Sequence, residues 1–153
     1  MTVQVFSERT AWEPAVPRET WERIARKALK DHGMDLDLVD LTVSLVDREA
    51  MRAYHRRFRG EDKDTDVMAF PAQTHDPETQ HFYLGDILIC FPVAEEQARQ
   101  AGHDLAEELC LLFTHGLLHL LGYDDETPEA RRRMWDVQNT LLAWAGCRLS
   151  TPP

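Results

Sequence analysis

The chain has 153 residues and a formal net charge of −10, with 43% hydrophobic and 29% charged residues. This length and composition predict one globular domain over residues 1–153, with a core large enough to need no disulfide bonds. The acidic charge argues against sequence-independent binding of nucleic acid over a broad basic surface, and leaves one local basic segment, residues 48–59.

The cysteines and the apolar segments indicate a protein of the cytoplasm. The cysteines are odd in number and form no C-x-x-C pair, so we expect them to be reduced packing residues: Cys90, Cys110 and Cys147. The first ten residues contain no basic region followed by an apolar run, so no signal peptide is expected. No stretch approaches the roughly 18 apolar residues of a membrane span, so no membrane partner is expected.

The N-terminal half alternates between the periods of strands and helices. Apolar and polar residues alternate over 2–6 and again over 39–45, which predicts two half-buried strands. Between them, residues 17–30 place apolar side chains at helical spacing. A second helix is predicted over 48–58, with Asp47 as its N-cap because its side chain can accept from free first-turn amides.

The C-terminal half is predicted to contain two strands followed by three helices. The strands cover 67–70 and 81–90, and the polar, proline-containing residues 71–80 are expected to form an exposed loop between them. The helices are expected at 92–101, from 105 to Gly122, and from Pro128 to about Ala145.

Two details of these helices are specific enough to test. Asp104 and Glu107 have the spacing of a capping box, in which the N-cap and N3 side chains bond each other's backbone amides. The apolar face of the last helix is expected to pack on the core: Met134, Val137, Leu141 and Trp144, with Leu142 beside them.

The element order predicts the fold class. The order is β-α-β-α-β-β-α-α-α, with few strands and a helical C-terminal half. This order favours an α/β fold of mixed α+β layers, in which helices pack on one small mixed sheet of about four strands.

One stretch carries candidate chemistry, H-G-L-L-H-L-L-G-Y-D-D-E, residues 115–126. His115 and His119 are four residues apart, so a helix places both rings on one face, where they can hold one metal ion. Gly122 is expected to end that helix, since glycine readily adopts the left-handed conformation. Three carboxylates follow in the turn: Asp124, Asp125 and Glu126. One of them would complete a three-ligand site with an open position, as in catalytic zinc sites.

This stretch resembles the H-G-x-L-H-L-x-G-Y-D-H motif of the YbeY family, bacterial metal-dependent endoribonucleases linked to ribosomal RNA maturation. R-G-E-D-K-D-T-D-V-M-A-F-P, residues 59–71, resembles the family's R-G-x-D-x-x-T-D-V-L-S-F-P block. L-G-D-I-L-I, residues 84–89, resembles its L-G-D-I-x-I strand. Three separated blocks in the family's order make the resemblance specific. It implies single-stranded RNA, in particular ribosomal precursor RNA, as substrate, and the ribosome or ribosomal proteins as partners.

The resemblance implies a ligand set with one departure from the family. His115 and His119 match two of the family's three histidines, and Asp125 stands where the family has the third. A carboxylate can complete a zinc site, so we expect one Zn²⁺ per chain. The added negative charge favours tolerance of harder ions, which makes Mn²⁺ or another divalent ion the alternative. Asp125 could instead be a turn residue near the cap of the last helix, and Asp124 and Glu126 compete for the ligand role.

The resemblance also places a functional arginine at Arg59. A guanidinium binds phosphate oxygens bidentately and stabilises charge that develops on them. The alternative is a solvated arginine that interacts favourably with the C-terminal end of a helix dipole. Arg59 and His115 are therefore the candidate catalytic residues. Asp66 and Asp86 lie in the matched blocks and are expected to have structural roles.

The leading hypothesis is a metal-dependent, single-strand-specific endoribonuclease of ribosomal RNA maturation and ribosome quality control. One rival is a metallohydrolase of another substrate class, such as peptides. Gly116 argues against it, because it stands where a zincin protease has its glutamate base. The other rival is a ribosome-associated binding module whose metal is structural, which Asp125 keeps open. A structural zinc normally has four protein ligands, and only three are visible in the sequence.

Overall fold

A computed structural model, which describes residues 1–60 and 65–147, follows the expected order of strands and helices. In chain order the elements are β1 (Thr2–Ser7), α1 (Arg18–Asp31), β2 (Val39–Val46), α2 (Arg48–Arg59), β3 (Val67–His75), β4 (Phe82–Cys90), α3 (Phe91–Ala101), α4 (Leu105–Leu120) and α5 (Pro128–Trp144). Short 3₁₀ helices at Thr10–Ala15 and Leu36–Leu38 precede α1 and β2. The predicted mixed fold, one small sheet with helices packed on it, is confirmed.

The sheet has the strand order β1-β2-β4-β3. β1 is parallel to β2 and β2 is parallel to β4, whereas β3 is antiparallel to β4 at the sheet edge. α1 supplies the crossover between β1 and β2, because parallel neighbours cannot be joined by a tight hairpin.

β3 is longer than predicted. We expected the strand to stop at Phe70 and residues 71–80 to be a loop, but β3 continues to His75. Proline is a poor residue for a central strand, because it cannot donate to the hydrogen-bond ladder. Pro71 is accommodated because β3 lies at the sheet edge and its pairing with β4 shifts register between Pro71 and Thr74.

α4 is the central helix of the domain and contacts β3, β4, α1, α3 and α5. The sequence predicted one apolar stripe, but this helix is buried on almost every side. The Trp21 ring of α1 stacks on Phe113 with ring centroids 5.0 Å apart. Gly116 faces the sheet so closely that a Cβ there would lie 2.8 Å from Ile87 Cγ2. The glycine therefore sets how near the histidine-bearing turn of α4 lies to the sheet.

α2 covers part of the opposite face of the sheet. Its Met51 belongs to a second, smaller apolar cluster with residues of β2, β3, β4 and α3: Val46, Met68, Leu88, Cys90 and Val93. None of the three cysteines forms a disulfide bond, and two of them are buried. Within residues 1–60 and 65–147, no helix combines the length and apolar character needed to cross a membrane.

The predicted N-cap of α2 and the predicted end of α4 are confirmed. Asp47 Oδ1 accepts from Ala50 N–H at 2.8 Å and caps α2. Gly122 (φ +99°) closes α4, with its N–H donating to His119 and that of Tyr123 to Leu118. Thr127 Oγ1 accepts from Ala130 N–H at 3.1 Å and caps α5. The capping box of α4 is wrong, because Asp104 occupies the N-cap position without a side-chain hydrogen bond.

The packing face predicted for α5 is also wrong at one position. Trp144 is 46% exposed, and the Arg23 guanidinium lies 5.2 Å from the centroid of its ring. Met134, Leu141 and Leu142 are buried as expected.

Candidate metal site

His115 and His119 lie side by side on α4, on the part of the helix that projects toward α5 and the following turn. Their Nε2 atoms are 3.1 Å apart, and the ring planes cross at 78°. Both side chains are half-buried, whereas the residues between them are buried. The helical spacing read from the sequence therefore produces two converging nitrogen atoms at the edge of the core.

In each histidine, the Nδ1 atom is hydrogen-bonded to an oxygen atom. His119 Nδ1 donates to the carbonyl of Tyr123 at 3.0 Å, and His115 Nδ1 donates to Gln138 Oε1 at 3.1 Å. These oxygens can only accept, so each Nδ1 carries the proton and each neutral ring presents its Nε2 lone pair. Two lone pairs that face each other at 3.1 Å repel unless a cation lies between them. The arrangement fits a metal, because tetrahedral nitrogen ligands about 2.0–2.1 Å from zinc lie about 3.3 Å from each other.

Gln138 is a functional candidate that sequence reasoning missed. Its side chain is only 3% exposed, and it lies one turn after Met134 on the buried face of α5. A polar residue in an otherwise apolar helical stripe was the available signal. Hydrogen-bond partners of this kind fix the orientation of a metal-binding ring and raise its basicity.

The turn after α4 brings Asp125 to the histidines. One carboxylate oxygen of Asp125 and one nitrogen of each histidine all lie within 4.8 Å of one another. In the described part of the chain, this is the group of His, Cys, Asp or Glu side chains that could hold a metal ion. Asp124 instead accepts from the backbone of Glu126 at 3.1 Å and stabilises the turn. The assignment of Asp125 as the third ligand stays a prediction.

The electrostatics favour the neutral, metal-binding form of His119. Burial lowers the pKa of His119, and the closeness of a second imidazole, His115, lowers it further. The Asp125 carboxylate and the hydrogen bond to Tyr123 oppose this shift without reversing it. His119 therefore stays unprotonated to a lower pH than a solvent-exposed histidine.

Arg59 ends α2 and is exposed. The pKa of His119, which burial lowers most, is lowered in addition by the positive charge of Arg59. Two residues 60 positions apart in sequence therefore interact electrostatically. Residues 61–64 of the same sequence block lie outside the described residues.

The two aspartates of the matched sequence blocks, Asp66 and Asp86, make contacts that fit structural roles. Asp66 Oδ1 accepts from Val67 N–H at 2.8 Å at the start of β3. Asp86 Oδ1 lies 2.7 Å from the Tyr83 hydroxyl, which also bonds Thr42. Neither aspartate belongs to the group around the histidine pair.

Comparisons with known proteins agree with the sequence motifs. A family model described as Endoribonuclease YbeY matches residues 7–146. An Endoribonuclease YbeY of Salinispora tropica is 43% identical over 159 residues, covering 97% of this chain and 99% of that protein. An Endoribonuclease YbeY of Thermobifida fusca is 42% identical over 142 residues, covering 86% of this chain and 88% of that protein. A match with the Frankia casuarinae protein of that name, 46% identical, spans 59% of that protein.

The fold is similar to a solved structure. The solution structure of TM1509 from Thermotoga maritima aligns with a TM-score of 0.55 and 27% sequence identity. The alignment covers 98% of this chain and 97% of that one, so the similarity extends over the whole domain.

Proposed function

The chain belongs to the endoribonuclease YbeY family, and on that premise we propose that it is a metal-dependent endoribonuclease acting on single-stranded RNA. The observation that carries the proposal is the 3.1 Å separation of the Nε2 atoms of His115 and His119, with both Nδ1 atoms bonded to oxygen. Two nitrogen acceptors in this arrangement support a site for a divalent cation.

We assign the site to one Zn²⁺ per chain, with His115, His119 and Asp125 as its ligands. The donor set also suits Mn²⁺, because the carboxylate is a harder ligand than the family's third imidazole. A divalent ion held by these side chains supplies positive charge that polarises a phosphate and makes water a better nucleophile. The roles of this chain are then to orient the two rings through their Nδ1 hydrogen bonds and to seat the RNA.

Arg59 seats the scissile phosphate in this account. Its guanidinium is exposed, so it can reach a backbone phosphate, and its charge acts on His119. A planar cation with paired N–H donors matches two phosphate oxygens and stabilises charge that builds on them during cleavage. His115 contributes to catalysis as a metal ligand, with its ring oriented by the hydrogen bond to Gln138.

Two features disfavour the rival functions. Gly116 is buried against Ile87, so no side chain occupies the position from which a zincin glutamate acts. A zinc ion held by these three side chains would have a fourth position for water or substrate, which is typical of catalytic rather than structural zinc sites.

Cleavage assays with and without chelator test the proposal. Zinc- or manganese-loaded protein should cut a single-stranded RNA, leave an unstructured peptide of similar length intact, and cut duplex RNA far more slowly. Chelation should stop RNA cleavage, and restored metal should return it. Unchanged RNA cleavage in excess chelator, or metal-dependent cleavage of the peptide alone, would refute the assignment.

The cellular role we infer is cytoplasmic maturation of ribosomal RNA and ribosome quality control, with the ribosome or its proteins as partners. The three matched sequence blocks support this role, and the net charge of −10 fits an enzyme that binds RNA locally. Precursor RNA within ribosomal particles should be cut faster and at fewer positions than an unrelated RNA of equal length. Equal rates and scattered cuts on both would exclude this specificity.

A further inference from the structure

An aromatic surface on α2 and β3 has no role in the site described so far. It consists of Tyr54, Phe58 and Phe70. Phe58 contacts Phe70 with ring centroids 4.8 Å apart, and Tyr54 lies parallel to Phe58 at 6.3 Å. Phe58 is 53% exposed and Tyr54 is 38% exposed, while Phe70 is half-buried against the smaller apolar cluster. The surface therefore exposes the rings of Phe58 and Tyr54 to solvent, with the half-buried Phe70 beneath them.

The other large exposed apolar side chains of the described residues are isolated from this surface. Phe6 lies on β1 at the far edge of the sheet, and Trp144 lies at the end of α5. Scattered exposed apolar residues are normal on a protein surface, whereas a contiguous group indicates an interaction site.

Positive charge surrounds the aromatic surface. Arg52, Arg57 and Arg59 are exposed on the same helix, and the Arg57 guanidinium lies 5.3 Å from the centroid of the Phe58 ring. This concentration is unusual in a chain of net charge −10. A partner must therefore be anionic and must offer flat apolar groups. Single-stranded nucleic acid meets both requirements, because its bases stack on aromatic rings while arginines bind its phosphates.

The aromatic surface adjoins the candidate active site. Phe58 directly precedes Arg59, and Phe70 lies on β3, the strand that packs on the histidine-bearing helix α4. With a helical rise of about 1.5 Å per residue, Tyr54 lies about 8 Å along the axis from Arg59. A nucleotide next to a phosphate bound at Arg59 is therefore within reach of the rings.

We propose that Phe58 and Tyr54 form a base-stacking subsite for the RNA strand, next to the phosphate that Arg59 binds. The proposal rests on the proposed function for the identity of the strand. The proposal adds that the enzyme binds unpaired bases by stacking. This accounts for a preference for single-stranded RNA, because paired bases have no free face for the rings.

The test compares Phe58→Ala, Phe58→Leu and Phe58→Trp in the full chain, with a short single-stranded RNA labelled by a fluorophore. Stacking of one base predicts that Phe58→Ala weakens RNA binding about 5- to 100-fold. Phe58→Leu should be nearly as weak, whereas Phe58→Trp should bind as well as the parent. Trp144→Ala is the matched control, because it removes another exposed ring that has an arginine over it, and should leave binding unchanged.

A second arm uses RNAs in which single abasic positions are scanned across the cleaved region. Loss of one particular base should weaken binding by the parent and by Trp144→Ala, but not by Phe58→Ala, whose subsite is already lost. If Phe58→Leu binds RNA like the parent, the ring only caps the apolar cluster and the stacking proposal is wrong. If no Phe58 variant changes RNA binding, the surface serves another partner, such as an acidic protein.

Two readouts separate this proposal from the proposed function. Metal affinity should be the same in Phe58→Ala as in the parent, because Phe58 is not among the candidate ligands. A parent protein that cuts no RNA would refute the proposed function, while the binding and abasic arms would still decide the stacking subsite.

Discussion

A hydrogen bond links α4 to α5 at the candidate metal site: His115 Nδ1 donates to Gln138 Oε1 at 3.1 Å. Gln138 is buried on α5, and His115 lies on the central helix α4. The docking of α5 on α4 therefore sets the direction of one ring, while the turn at Tyr123 sets the other. The site depends on tertiary packing as well as on the spacing of two histidines.

Gln138→Leu should weaken metal binding about 10- to 100-fold, because the His115 ring loses the acceptor that fixes its tautomer. Gln138→Glu keeps an acceptor and should retain most of the affinity. A titration with zinc under competition from a chelating dye measures both variants. Equal affinity of Gln138→Leu and the parent would mean that Gln138 has only a packing role.

Asp125→Ala should lose metal affinity by more than about 100-fold, a larger loss than that of an orienting partner, because a ligand itself is removed. Asp125→His restores the family residue, so zinc affinity should hold or rise and preference for manganese should fall. Asp124→Ala and Glu126→Ala are matched controls and should retain most of the metal. If Glu126→Ala loses metal and Asp125→Ala does not, the third ligand is Glu126.

Arg59→Ala should lower the rate constant for RNA cleavage about 100-fold, the cost of removing one stabiliser of developing charge. Metal content and thermal stability should not change, since Arg59 is exposed at a helix end. Arg26→Ala, at an exposed position of α1, is the matched control, because it changes the net charge by the same amount. Parent-like cleavage by Arg59→Ala would remove Arg59 from the mechanism.

Glu108 predicts a pH dependence of stability that is independent of the metal. Burial raises the pKa of Glu108, and His103, 2.5 Å away, only partly opposes this effect. Between the ordinary pKa of 4.5 and the higher pKa of the folded state, the folded state binds more protons than the unfolded state. The free energy of unfolding therefore falls as the pH rises through this window.

Glu108→Gln should consequently raise the melting temperature of the metal-free protein at pH 8 and change it less at pH 4. Glu107→Gln, on the same turn but half-exposed, should show a smaller effect at both pH values. Thermal unfolding followed by circular dichroism measures the difference. A melting temperature lowered by Glu108→Gln at pH 8 would show that the His103 pair outweighs the burial of the charge.

Most of the fold could be predicted because its elements have strong periodicity. β2 alternates between apolar and polar residues and α1 repeats apolar residues at helical spacing, so their predicted bounds agree with the structure within about two residues. The second half of β3 was missed because a proline marks a strand end in most contexts, and only tertiary pairing at a sheet edge overrides that signal. The surroundings of α4 were missed for a similar reason, since a helix at the centre of a domain is apolar on all sides and has no distinct stripe.

The site could be predicted in part. The spacing of His115 and His119 and the turn at Gly122 are local features, and local sequence specifies them. Gln138 lies 23 residues from His115, and Arg59, which adds to burial in lowering the pKa of His119, lies 60 residues from it. Such contacts depend on how separate elements dock, which periodicity alone does not encode.

The most direct test of the account is a metal titration of purified parent and His119→Ala, with elemental analysis of both after dialysis. The parent should retain one divalent ion per chain, and His119→Ala should retain almost none while melting cooperatively. Stoichiometric metal in His119→Ala, or none in the parent under saturating zinc or manganese, would contradict the claim that the two facing Nε2 atoms form a metal site.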